Sequence, residues 1–359
     1  MNFKLSEEQH QLQDAARRIV SAAGYHERLR AVVDGQTSWD EGSWRDLVEF
    51  GVPGIVVSDR FGGIGLTMIE LALVAEALGY AGAATPFLGH VLATIAIAEG
   101  GSEQQREKWL PLLASGEKIA SVALSDRNDG WAPDDWSLAP NGSRISGRKI
   151  NVPAGQIADI FVVGLAGGQL AVVEVETPTV TAEAMDGIDV TRPLAAVEFS
   201  EAEAELLENG PAGAARMHDA ALVLLAADAF GGASRILDMT RDYSLVREAF
   251  GAKLAQFQAY KHQLANLAVE VIPTRGLYWF AAYAFENYVE RSSHAACLAK
   301  AHSAELFLQT ARLGTELLGG IGFTWEYDSQ IWLKRAMFDF AWGGRPDRLF
   351  AKAADLAGW

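Results

Sequence analysis

From residue 211 to the end of the chain the apolar residues keep a helical period almost without interruption, and no other feature restricts the fold as strongly. The runs 217–246, 258–288 and 294–318 each read as one long helix, the second broken by Pro273. Helices of this length with short connections pack antiparallel, which predicts a carboxy-terminal four-helix bundle. A shorter helix over about 329–340 and a tail over 346–356 complete it.

The amino-terminal part is also helical. Ser6 with Gln9 forms a capping box, and Leu12, Ala15, Ala16, Ile19 and Val20 follow at helical spacing. Residues 44–50 form a short helix stopped at Gly51 and Pro53, 68–78 is a nearly all-apolar buried helix, and 88–98 repeats that pattern. Ser102 with Gln105 caps another helix reaching about Ser115, bent or shortened by Pro111. At Lys118 the texture changes, because Ile119, Ser121, Ala123 and Ser125 alternate and turn dipeptides follow. Asn141-Gly142 is a hairpin signal, the strands 158–165 and 169–176 are joined by Gly167-Gly168, and 195–199 is a further strand. No helix interrupts this stretch before Leu207, so it reads as an antiparallel sandwich or small barrel rather than a βαβ unit. The expected architecture is α+β and multidomain: a helical domain over 1–117, a β domain over 118–209 and a helical bundle over 210–359.

With 359 residues, half of them apolar, the chain can bury a large core. Its net charge of −16 and the lack of any Lys/Arg run argue against a nucleic-acid partner, and an anionic ligand must find a local basic site. Cys297 is the only cysteine, so no intrachain disulfide or cysteine-built metal site can form. The histidines lack the i, i+4 pairing of a metal site, and no Gly-x-Ser-x-Gly elbow is present. The amino terminus has neither a basic nor a hydrophobic leader region, and no apolar run reaches membrane-spanning length. A soluble protein of a reducing compartment, the cytoplasm, is expected, with no membrane insertion.

Between the first two long helical runs, residues 243–262 carry Arg247, Phe250, Gly251 and Gln258. An arginine can grip a phosphate bidentately and a phenylalanine can stack on a flat ring, the two handles of a nucleotide. The alternative is a helix end, with Gly251 past the last turn and Arg247 complementing the dipole. Two glycine clusters, 62–65 and 319–322, also suggest a nucleotide, but neither has the strand-turn-helix setting of a Rossmann fingerprint, and each also reads as a helix terminus.

The segments RFGGIGLT, VREAFGAKLAQFQ and LLGGIGFTWEYD, in that order, together with GVPGIVVSDRFGG and AEALG, resemble the acyl-CoA dehydrogenase family over essentially the whole chain, more weakly in the β region. The resemblance implies FAD between the β domain and the bundle, completed by a neighbouring subunit. It implies that Arg247, Phe250 and Gly251 form the family's Arg-x-x-Phe-Gly motif, meeting the pyrophosphate and adenine across a dimer interface. Gln258 matches a further polar contact and Leu254 the same wall. Gly319 and Gly320 match a turn that lets backbone approach the cofactor, while Glu316 stands where the family often has glutamine. In the β domain, Leu124 and Ser125 match the family's flavin-facing segment, whereas Asn151-Val152-Pro153 lacks the tryptophan and hydroxyl of its second flavin motif.

The family's reaction removes an α proton from an acyl-CoA thioester with a glutamate while the β hydrogen leaves as hydride. The two positions that supply this glutamate are Gly343 and Ala221 here, and neither can take a proton. The nearest acids are Asp219, Asp228, Asp339 and Asp347, of which Asp228 and Asp339 are the candidates for a relocated base. Some bacterial members are heterotetramers with one base-deficient subunit type, and the ending WGGRPDRL resembles that type. The implied partners are an acyl-CoA substrate, homologous subunits in a tetramer and an electron-transferring flavoprotein, in fatty-acid or sterol side-chain β-oxidation. A homo-oligomer with a relocated base, a flavin-free assembly scaffold, and oxidase or monooxygenase chemistry are the alternatives.

Overall fold

Among the described residues six α-helices precede the first strand: α1 (Glu7–Ile19), α2 (Tyr25–Val33), α3 (Glu41–Glu49), α4 (Met68–Ala81), α5 (Phe87–Gly100) and α6 (Glu103–Ala114). The computed structural model describes residues 4–127, 129–176 and 178–359. Both capping boxes form: Ser6 and Ser102 accept from the backbone of Gln9 and Gln105, whose amides accept in return. Pro111 lies inside α6 without ending it, because the carbonyl it leaves without a partner belongs to exposed Glu107.

The strands are β1 (Ala120–Ala123), β2 (Arg144–Pro153), β3 (Ile160–Leu165), β4 (Gln169–Glu174), β5 (Val180–Met185), β6 (Leu194–Glu203) and β7 (Glu205–Leu206). They form two sheets, β1-β3-β4-β7 and β2-β6-β5. All pairings are antiparallel except β1 with β3, which is parallel, since the chain between them leaves to build β2 in the other sheet. Ile145, Phe161, Val163, Val173, Val197 and Phe199 fill the space between the sheets, with Phe161 and Phe199 edge to face at 6.1 Å. Asn141-Gly142 makes only a single bridge to Arg144, not a full hairpin.

The carboxy-terminal elements are α7 (Gly210–Val246), the short strands β8 (Glu248–Ala249) and β9 (Ala252–Lys253), then α8 (Gln258–Asn287), α9 (Val289–Leu318), α10 (Ser329–Ala341) and α11 (Pro346–Leu356). Contrary to the expected break, α8 continues through Pro273, since the carbonyl that loses its bond belongs to Val269, which is exposed. By length and composition α7 could span a bilayer, which the run-length reading missed; 83% of its most apolar stretch is buried inside the protein.

The chain divides into two compact units, residues 22–71 with 84–221, and residues 1–21 with 72–83 and 222–359. In the first, α5 packs on β1, and a Cβ at Gly89 would fall 2.5 Å from the Ser121 hydroxyl. In the second, α4 and α7 cross backbone to backbone. A Cβ on Gly79 would lie 2.2 Å from the Asp228 carbonyl oxygen, and one on Gly231 would lie 2.1 Å from that of Glu76. Glu76, 3% exposed, is bound there by Arg17 and Arg275, each at 3.0 Å, and by the Tyr278 hydroxyl.

Candidate functional site

The stretch 243–262 holds the end of α7, a short hairpin over 248–253 and the start of α8. α7 stops at Val246, and β8 and β9 pair in register Glu248↔Lys253 and Ala249↔Ala252. Phe250 and Gly251 occupy the two-residue turn with φ of 52° and 74°, the left-handed pair of a type I′ turn. Glycine suits that turn and phenylalanine does not, yet the Phe250 side chain is 99% exposed, and a single edge-to-face contact with Phe257 at 6.5 Å is all that meets its ring. Arg247, also exposed, opens the hairpin, and its carbonyl accepts from Leu254 N–H at 2.9 Å. Leu254 in turn accepts from Phe257, so hairpin and α8 are linked in one chain of bonds. Gln258 is the exposed first residue of α8, a helix whose N-cap, Phe257, provides no side-chain cap. Its first N–H groups are left to solvent or to an anion.

Gly319 ends α9 with φ 70° and ψ −147°, a conformation essentially confined to glycine. No heavy atom lies within 4 Å of the place a Cβ would take at Gly319 or Gly320, so the backbone here is open to approach. Glu316 is exposed, and its carbonyl accepts from Gly319 N–H. This segment belongs to the same unit as the hairpin. Tyr260 near the start of α8 donates to Leu317 O at 3.2 Å, and Tyr243 meets Tyr327 edge to face at 6.1 Å. An exposed arginine, an exposed aromatic ring, an uncapped helix start and an open glycine pair fit a dinucleotide's phosphates and base.

Leu124 and Ser125 lie in the other unit, where β1 ends. Both are buried, and the Ser125 hydroxyl donates to Gly130 O at 2.9 Å. Lys149, fully buried on β2, holds the segment, its Nζ reaching Leu124 O at 2.8 Å and Asp126 Oδ1 at 2.7 Å. Burial lowers its pKa, and the Asp126 carboxylate opposes that. Asn151 sits at a β-bulge with φ 56°. Lys149 went unnoticed in the sequence, although a lone lysine in a strand is the signal that finds it.

The acids near the usual base positions are engaged in structure. Asp228 is gripped by Arg335, Nε to Oδ1 at 2.9 Å and Nη2 to Oδ2 at 2.6 Å, with both side chains nearly buried. Both carboxylate oxygens are therefore engaged, and Asp228 does not suit the role of a relocated base. Asp339 is fully buried on α10 beside Lys300. Lys300 bonds the carbonyls of Phe340, at 3.2 Å, and Gly344; burial lowers its pKa to about 7 and the Asp339 charge opposes this. That pair holds the turn at Gly343 and Gly344, whose φ values are 74° and 111°. A Cβ at Gly343 would meet Leu225 at 3.0 Å. Ala221 is buried on α7.

The family descriptions "Acyl-CoA dehydrogenase, N-terminal domain" and "Acyl-CoA dehydrogenase, C-terminal domain" match residues 6–117 and 217–352. The acyl-CoA dehydrogenase IpdE2 of Mycolicibacterium smegmatis is 32% identical over 92% of this chain and 93% of its own length. The chain belongs to the acyl-CoA dehydrogenase family. A chain of the solved Tcur3481-Tcur3483 steroid ACAD, a variant, is 31% identical with a TM-score of 0.89, covering 98% of each chain. A glutaryl-CoA dehydrogenase from Mycobacterium smegmatis in complex with FADH2 has the same fold, with a TM-score of 0.86 at 20% identity over 99% of this chain and 96% of the other. The acyl-CoA dehydrogenase fold accounts for the order of helical, β and helical regions, and the chain is an oxidoreductase of this flavoprotein family.

Proposed function

We propose that this acyl-CoA dehydrogenase is the base-deficient subunit of a heteromeric, FAD-dependent enzyme, and that it lends its nucleotide half-site to the assembly. The observation that carries the reading is the turn at Gly343, which has no side chain and a left-handed backbone, together with the buried alanine at 221. Of the two acids proposed as substitutes, Asp228 is locked by Arg335 and Asp339 is sealed beside Lys300. No proton acceptor is left at either usual place, so the α proton must go to a carboxylate of a homologous partner.

FAD, when bound, supplies the oxidant that takes the β hydrogen. Toward it, Arg247 provides a bidentate cation for the pyrophosphate, Phe250 a ring for adenine, and Gln258, with the open start of α8, further donors. Gly319 and Gly320 admit backbone close to the cofactor, and Leu254 matches the same wall; Leu124 and Ser125 match the family's flavin-facing segment, although both are buried and the Ser125 hydroxyl is taken up by Gly130 O. Glu316, exposed beside this turn, makes no direct contact with a diphosphate. The paired names of the Tcur3481-Tcur3483 relative support a two-component assembly, and its description as a steroid enzyme supports a bulky, steroid-derived acyl-CoA as substrate. A tetramer, an electron-transferring flavoprotein as acceptor, and a cytoplasmic site complete the proposal.

The test is to assay acyl-CoA oxidation with an artificial acceptor, using the chain alone and co-expressed with a longer homologue that carries the glutamate. Turnover and flavin absorbance are expected only in the co-expressed complex. Robust turnover by the chain alone would sink the proposal, and a colourless but assembled complex would favour a scaffold. In the complex, Arg247→Ala should weaken FAD binding roughly tenfold or more, since a charge-assisted contact is lost.

A further inference from the structure

We propose that Tyr260 is a positioning residue for the nucleotide half-site, its phenol fixing the last turn of α9 so that the Gly319–Gly320 backbone is presented in one conformation. The inference rests on the FAD reading above. Gly319 and Gly320 have no neighbours within 4 Å of their Cβ positions, and they open the 3-10 turn Gly319–Phe323 that follows α9. Side-chain hydrogen bonds tie this turn down at both flanks. On the far side, the Ser329 hydroxyl donates to Gly322 O at 3.1 Å. On the near side stands Tyr260.

Tyr260 is the third residue of α8, two beyond Gln258, and is 9% exposed. Its hydroxyl donates to Leu317 O at 3.2 Å and lies 3.5 Å from Thr240 O on α7. Leu317 stands in the last turn of α9, where carbonyls run out of helical N–H partners. One phenolic hydrogen serves one carbonyl at a time, and the shorter contact identifies Leu317 as its acceptor. The hydroxyl therefore sits where three segments meet: the end of α7 that leads to Arg247, the start of α8 that carries Gln258, and the end of α9 that leads to Gly319. Burial, with Tyr243 and Tyr327 nearby, pushes its pKa up to about 12, so it remains a donor at any working pH.

Tyr260→Phe keeps the ring and removes the donor. In the flavin-binding assembly, stripped of FAD and titrated with it, this variant should bind FAD on the order of fivefold more weakly. Amides of residues 319–321 should exchange faster in its FAD-free form. Tyr278→Phe, which removes a buried phenol bonded to Glu76 in the same unit, serves as the control for general loss of stability. It should lower the melting temperature and leave FAD affinity and that exchange unchanged. A change below threefold in Tyr260→Phe, or an equal change in the control, overturns the proposal. If the unsubstituted assembly itself takes up no FAD, the half-site reading fails and this inference falls with it.

Discussion

Arg335 holds both carboxylate oxygens of Asp228 at 2.9 and 2.6 Å, and the same guanidinium reaches Ala83 O at 3.1 Å through Nη1. α10, α7 and the end of α4 thus meet at one buried ion pair. Removing one partner strands the other charge away from water, which costs about 3–5 kcal/mol. Asp228→Asn should therefore lower stability by about that much in urea unfolding, while the turnover of whatever assembled enzyme remains folded stays near the unsubstituted value. A folded Asp228→Asn complex with abolished turnover would return Asp228 to the list of bases.

Restoring the missing carboxylate is not a matter of one substitution. Gly343 has φ 74°, and a Cβ there lies 3.0 Å from Leu225 Cδ1. Any side chain in that backbone conformation costs roughly 1–2 kcal/mol. Gly343→Glu alone is expected to reduce the melting temperature and to leave the isolated chain without acyl-CoA oxidation. Turnover approaching that of the two-component enzyme would show that the turn readily accepts the side chain.

Phe250 gives the sharpest separation of folding from function. Its ring is 99% exposed, meets only Phe257 edge to face, and its φ is 52°, so the isolated subunit gains little from it. Phe250→Gly should relieve roughly 1 kcal/mol of backbone strain and leave the FAD-free chain at least as stable. The same variant should bind FAD more weakly in the complex, because the stacking ring is gone. Unfolding curves and FAD titrations read the two effects separately, and unaltered FAD affinity would remove Phe250 from the site.

The helical bundle and its long elements were legible because burial imposes a 3.6-residue period that survives in a single sequence. Pro273 misled, since a proline on a solvent-facing turn of α8 removes a bond that water replaces. α2 and β5 escaped notice; β5 alternates only loosely and presents Glu183 to solvent. Within the site, Arg247, Phe250 and Gly251 were legible as chemistry but not as geometry. Such spacing suits a helix end or a hairpin turn, and here α7 stops at Val246 before Glu248 pairs with Lys253. The role of Tyr260 was not legible, and that of Lys149 only as a lone lysine in a strand, because both depend on carbonyls supplied by other segments of the chain.

His90 sets an acid limit on stability. It is fully buried on α5, its Nδ1 accepting from Ala120 N–H at 3.3 Å, which leaves Nε2 to carry the proton and donate to Leu113 O at 3.1 Å. A second proton would face an N–H group, and burial lowers the pKa from 6.5 to about 4. Between those values the unfolded chain binds a proton that the folded chain refuses, so stability falls as pH drops from 6.5 toward 4 and is flat above 6.5 for this group. The loss attributable to His90 is on the order of 3 kcal/mol by pH 4. His90→Gln can keep a donor toward Leu113 without the titration. Urea midpoints of the two proteins should therefore converge as pH is lowered through this window, and parallel pH profiles would show that His90 is not the group responsible.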